Sequence, residues 1–174
     1  MKEKSGFIFI WKSLLVLTAV LLMFGNGYAA NTFKDSKGGF SIDLPQGWKL
    51  DPQTDPTTYV FKGSSESIII QYFTGNKTRG QLFQEGLNTL RSAGLPNAKP
   101  TKTVRNLKVS NNPAQWGIYK DTMLYGGVKV VLYGLLGSIS LEKGGLYYLV
   151  IVNEKTLKQK QKIFYYGLCL LYLI

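Results

Sequence analysis

Histidine is absent from this chain, and cysteine occurs once, as Cys169 in the last six residues. The first absence removes any histidine-based catalytic triad and any His-bearing zinc site. The second removes cysteine-cluster metal sites and leaves no partner for an intrachain disulfide. Arginine is nearly missing as well: Arg79, Arg91 and Arg105 are the whole complement. Acids are outnumbered, 10 against 21 basic residues, for a formal charge of +11 over 174 residues. The glycine pairs at 38–39, 126–127 and 144–145 fall outside any strand–GxGxxG–helix unit, so no phosphate cradle is indicated. No internal repeat or low-complexity segment is visible.

What is present begins with a leader. Lys2, Lys4 and Lys12 precede the apolar run Leu14 to Phe24, and Gly25-Asn26-Gly27-Tyr28-Ala29-Ala30 follows. A charged region, an apolar region and small residues in that order read as a secretory signal, residues 1–29. Cleavage is expected after Ala29, because Gly27 and Ala29 satisfy the small-x-small rule better than Tyr28 and Ala30. No cysteine stands near that point, so the expected route is export to the periplasm or outside without a lipid anchor. Loss of the leader's three lysines and one glutamate leaves 18 basic and 9 acidic residues, a formal +9. Such a balance suits anionic lipid, an acidic protein or nucleic acid. An exported chain with three arginines makes nucleic acid the least suitable, and none is expected as a partner.

The mature part is long enough for one domain with a real core, and the chain's 45% apolar content argues against disorder. Asn31 to Gly38 reads as a polar lead-in. In Gly39-Phe40-Ser41-Ile42-Asp43-Leu44-Pro45-Gln46-Gly47-Trp48, Phe40, Ile42 and Leu44 alternate with polar residues, the period of a half-buried strand. Pro45 ends it and Gln46-Gly47 turns the chain before an aromatic plug, Trp48. Further strands are expected at Thr58–Lys62, Ser67–Thr74, Thr101–Val109, Ala114–Lys120, Val128–Leu136 with continuation toward Leu141, and Leu146–Val152. The last is apolar at both parities, so something must pack on each face of it. Between the strands, Asn76 to Ala93 takes helical spacing. Thr78 with Gln81 fits a capping box, Leu82, Phe83, Leu87 and Leu90 form a stripe, and Gly94 with Pro96 ends it. The expected architecture is α+β: an antiparallel β-sheet with helices packed on both faces.

The phrase GFSIDLPQGW just after an export leader resembles the opening of the PsbP-like domains, which include the extrinsic photosystem II protein and bacterial periplasmic relatives of the DcrB type. The resemblance covers residues 33–153 and rests on that phrase and on element order. It implies an α/β/α sandwich and a C-terminal amphipathic helix over one sheet face. It also implies a non-enzymatic role, as an assembly factor or an extrinsic subunit on a membrane complex. The histidine-bearing metal sites associated with the plant protein do not carry over to a chain without histidine.

Chemistry of its own is hard to find. Asp35, Asp43, Asp51, Asp55, Glu66, Glu85, Asp121, Glu142 and Glu154 are the mature carboxylates, mostly beside Pro, Gly or Lys in apparent turns. Asp51 and Asp55 lack the ligand count and spacing of a dedicated calcium loop. No catalytic residue, metal site or cofactor is expected. The candidate partner surface is Lys99, Lys102, Arg105 and Lys108, recurring every third residue. On one continuous strand that spacing alternates faces, and charge on an edge strand also blocks edge-to-edge pairing.

Residues 154–174 are the odd part. Glu154 to about Lys162 is expected to start a helix that packs on the sheet, after which Ile163–Ile174 is a run of 12 apolar or glycine residues. A bilayer needs about 20. Three readings of that tail stand side by side: a cover for the second sheet face, a dip into a membrane behind a lysine collar, or a reading-frame scar. The functional expectation is an exported, non-enzymatic accessory module docking on an envelope protein complex, with peripheral membrane contact through the basic surface or the tail as an accompaniment. The alternatives are an envelope-polymer hydrolase using paired carboxylates and a structural surface protein tethered by its apolar end.

Overall fold

The computed structural model describes residues 31–52, 55–158 and 171–173. The leader with its expected cleavage point at Ala29, and residues 159–170 of the tail, lie outside the described residues. In chain order the elements are β1 (Asn31–Asp35), β2 (Phe40–Leu44), β3 (Lys49–Leu50), β4 (Thr58–Lys62), β5 (Glu66–Thr74), α1 (Arg79–Ser92), β6 (Lys99–Pro100), β7 (Arg105–Val109), β8 (Asn112–Tyr125), β9 (Val128–Leu141), β10 (Gly144–Asn153) and β11 (Leu171–Leu173).

β10 is the middle of the main sheet, as its two-sided apolar pattern requires. The order is β3-β4-β5-β10-β9-β8, all antiparallel, with β6 and β7 both on the outer edge of β8. Leu146, Tyr148, Val150 and Val152 enter one core cluster; Tyr147, Leu149 and Ile151 enter the other. Each apolar side chain so buried contributes about 1.5–3 kcal/mol of transfer free energy.

Helix α1 covers the second cluster. Its N-terminus carries the expected capping box: Gln81 N donates to Thr78 Oγ1 at 3.3 Å, and Thr78 N donates to Gln81 Oε1 at 2.9 Å. At the other end Leu95 N donates to Leu90 O at 3.2 Å and Gly94 N to Arg91 O at 3.4 Å. That is a Schellman closure, with the buried Leu95 packed in the same cluster as Leu90. Gly86, a poor helix residue by propensity, sits where α1 approaches β9: a Cβ there would lie 2.3 Å from Leu136 Cδ1. Two serines index the helix on β9, Ser138 Oγ donating to Arg79 O and Ser140 Oγ to Lys77 O, both at 2.8 Å.

The opposite face has a different cover. Asn31 to Asp35 is not a lead-in but strand β1, paired antiparallel with β2 so that Phe33 stands opposite Ile42. Its single apolar residue hid it; Phe33 pays for the strand through rings at 4.9 Å from Tyr59 and 5.1 Å from Phe61. β2 leaves the main sheet altogether and lays Phe40, Ile42 and Leu44 onto it. β11 pairs with the other edge of β2, Leu171 opposite Ile42. The expected second helix is seen in residues 154–158, which are helical. Asn153 caps them, Thr156 N donating to its Oδ1 at 2.8 Å, and Leu157 packs on the cluster. Helices on both faces is therefore too simple. One face carries a full helix; on the other, the described residues show a small β-sheet and one helical turn.

Candidate functional site

The basic residues at every third position do not alternate, because the strand that was expected to hold them is broken. β6 ends at Pro100 and β7 starts at Arg105, with bend and coil over residues 101–104. β6 places Lys99 opposite Lys120, and β7 places Arg105 opposite Trp116. Directly opposed residues share a face. Ala114 and Ile118, on the same parity of β8, belong to the small-sheet side, so Lys99, Arg105, Trp116 and Lys120 all lie on that side. Lys102, in the bend, lines with Arg105 and Trp116 a recess of about 30 Å³ that Thr103, Gly117 and Ile118 complete; Lys99 and Lys120 lie outside it, further along the same side. Lys108 stands opposite Pro113 and falls on the other face. The structure thus gathers three of the four predicted cations, drops one, and adds Lys120. No periodicity in the sequence points to Lys120; only the β6–β8 register does.

Backbone ties hold this edge in place. Thr101 N and Thr101 Oγ1 both donate to Ile118 O, at 2.8 and 3.1 Å. Asn97 N and Thr122 N donate to the two carboxylate oxygens of Asp121, at 2.8 and 2.7 Å. Asp121 is buried and wholly occupied. Among the described residues, no ion pair involves Lys99, Lys102, Arg105 or Lys120. Opposing Lys99 and Lys120 directly is unfavourable for a sheet; Lys120 Nζ leans 5.8 Å from the Tyr133 ring centroid. The apolar pattern of β8 would bury Trp116 alongside Phe40 and Trp48. Phe40 is buried, but both tryptophans are half-buried. The recess holds a water or two, so it seats the end of a side chain rather than enclosing an organic ligand.

The carboxylates do other work. Asp35 accepts from Lys37 N and Gly38 N, both at 3.0 Å, and shapes the β1–β2 turn. Asp51 pairs with Lys62, and Asp55 instead accepts from Thr57 N, Thr57 Oγ1 and Thr58 Oγ1 at 2.8 to 3.0 Å. Those bonds, led by the Thr57 backbone N–H, hold the Asp55 carboxyl below the usual range. Glu85 pairs with Lys77 and Glu154 with Lys158, each at 3.2 Å. Among the described residues no three His, Cys, Asp or Glu side chains cluster as a metal site would need, and no buried side-chain polar atom lacks a hydrogen-bond partner. Under α1, Tyr147 Oη donates to Gln71 Oε1 and shares a hydrogen bond with Thr89 Oγ1, both 2.7 Å. Burial raises its phenol above the ordinary range. It fastens the helix and is closed to a ligand.

No family model and no curated protein matches the sequence. Solved structures do match its shape. The solution structure of cyanobacterial PsbP (CyanoP) from Synechocystis sp. PCC 6803 superposes with a TM-score of 0.64 at 14% identity, covering 86% of this chain and 96% of that one. A crystal structure from Bacteroides thetaiotaomicron VPI-5482 gives 0.53 at 12% identity, covering 83% of this chain and 48% of the other. At such identities the likeness speaks for the fold alone. The fold of this chain is the PsbP-like one.

Proposed function

We propose that the protein is an exported accessory module of the cell envelope, acting without catalysis by docking its basic edge on an acidic protein surface. The observation that carries this reading is the recess that Lys102 and Arg105 line beside half-buried Trp116, with Lys99 and Lys120 further along the same side of β8. Cations held by a rigid edge and not neutralised by local carboxylates have their charge available for a partner, and Trp beside Arg is the composition of an interface anchor. The small recess suits an Asp or Glu side chain inserted beside Trp116, in bidentate reach of Arg105. Support for a non-catalytic role comes from the carboxylates, most of which are engaged by backbone groups, hydroxyls or lysines. Support for export comes from the leader and from the PsbP-like resemblance, whose members work in the lumen or periplasm.

The test is a photo-crosslinker in place of Thr103, used in living cells. One or a few envelope proteins should be captured, and Lys102→Glu with Arg105→Glu should abolish the capture while leaving the melting temperature within a few degrees. Capture that survives the double charge reversal would defeat the proposal.

A further inference from the structure

The β8–β9 hairpin is much longer than the sheet needs. β10 follows β9 only as far as Leu132, and β6 follows β8 only as far as Lys120. Beyond those points residues 122–125 and 128–131 pair with each other alone. The free arm is about four residues long, ~14 Å at 3.4 Å per residue. Its apex is Gly126-Gly127, with φ of +57° and +80°, the conformation a tight two-residue hairpin demands and glycine accepts freely.

The apex is apolar where solvent would favour polar groups. Leu124 and Tyr125 are each 77% exposed and Val128 is 65% exposed, three of the four large exposed apolar side chains among the described residues. Both faces of the arm contribute: Tyr125 opposes Val128 and Met123 opposes Val130 on one, while Leu124 opposes Lys129 and Thr122 opposes Val131 on the other. Thr122 to Val131 contains no acid and one lysine. The acid at its root, Asp121, is buried and hydrogen-bonded.

We infer that this hairpin tip inserts shallowly into the interface of an anionic lipid bilayer, with Leu124, Tyr125 and Val128 among the acyl chains and Lys129 at the headgroups. Shape and charge select this occupant. A convex, two-sided apolar tip suits a fluid medium that closes around it, whereas a protein partner would need a matching groove. Tyr places a ring in the apolar layer and its hydroxyl in the wet one, and Lys129 spans the same boundary with an apolar stem and a charged end. A lysine close to an anionic leaflet adds attraction, and no exposed acid on the arm opposes it. The outer edges of the arm carry unpaired backbone groups, so the insertion stops where water still reaches them.

The experiment uses the protein as the cell processes it. Sedimentation with vesicles of phosphatidylcholine containing about a third phosphatidylglycerol should bind it, and pure phosphatidylcholine should bind it several-fold less. Leu124→Glu with Val128→Glu should reduce binding at least tenfold, and Lys129→Glu a few-fold. Hydrogen exchange on the unaltered protein should show the amides of residues 123–130 slowed by anionic vesicles and those of residues 105–109 unchanged, which keeps the test independent of how the variants fold. The inference is overturned if the unaltered protein ignores both vesicles, if the double variant sediments like the parent, or if protection falls on the Lys99–Lys108 edge instead. A dimer in solution that the double variant converts to monomer, with no vesicle binding by either, would assign the tip to a second copy of the chain and also overturn it.

Discussion

The two faces of the main sheet are closed by different means. Helix α1 is local in the chain and held by polar ties: Ser138 reaches its first residue and Ser140 the residue before its cap, and the Thr89–Tyr147–Gln71 bonds fasten its body. The other face has rings instead. Phe33, Phe40, Tyr59 and Tyr72 form a chain with centroids 4.9 to 6.4 Å apart, under strands that come from the start and the end of the described chain. Hydrogen bonds fix where a helix lies along a strand; rings fill volume but tolerate sliding. The helix face is therefore the indexed one, and the small-sheet face depends on long-range packing.

Substitutions can break that contrast. The largest effect belongs to the ring face: Phe40→Ala removes a fully buried ring and should cost about 3–5 kcal/mol, read as a lower urea midpoint. If the midpoint hardly moves, the small sheet is not what seals this face. Trp116 lies on the same side but is only half-buried. Trp116→Ala should cost about 2 kcal/mol, roughly half the value for a full aromatic truncation, and should weaken partner capture more than it lowers stability. A loss equal to that of Phe40→Ala would make Trp116 core.

On the helix side, Gly86→Ala sharpens the comparison by its sign. In an exposed helix the change would stabilise by about 1 kcal/mol. Here the new methyl meets Leu136, so overpacking should reverse the sign and leave the protein about 1–2 kcal/mol less stable; a gain in thermal midpoint would show that α1 can lift off β9 freely.

The smallest effect concerns Tyr147. Its raised pKa means that the folded state favours the neutral phenol. The associated stability is present in full below the ordinary tyrosine range near 10 and is lost as pH rises through the higher folded value. Tyr147→Phe should cost about 1 kcal/mol at neutral pH and flatten the alkaline limb of the stability profile. An unchanged alkaline limb would point to Tyr119, whose phenol burial also raises.

Much of this was legible in residue order. The faces of β10, the capping box at Thr78 and the end of α1 at Gly94 follow from period, cap chemistry and backbone freedom, which act within a few residues. β1 was not legible, because one phenylalanine among polar neighbours carries no alternation and becomes a strand only against β2. The candidate site was half legible. The spacing picked out Lys99, Lys102 and Arg105, but also assigned Lys108 to the set and had no means of finding Lys120.

The sequence by itself determined most of the strands and the helix, which side chains β10 presents together, and that histidine chemistry and an intrachain disulfide are unavailable. Only the tertiary structure decided that β2 leaves the main sheet, that residues 101–104 break an edge so three cations share one side, and that the β8–β9 hairpin outruns its neighbours. The physical reason is common to all three. Where a strand breaks, pairs or runs free is set by hydrogen-bond partners distant in the chain, and local pattern energies cannot specify a register whose other half lies elsewhere.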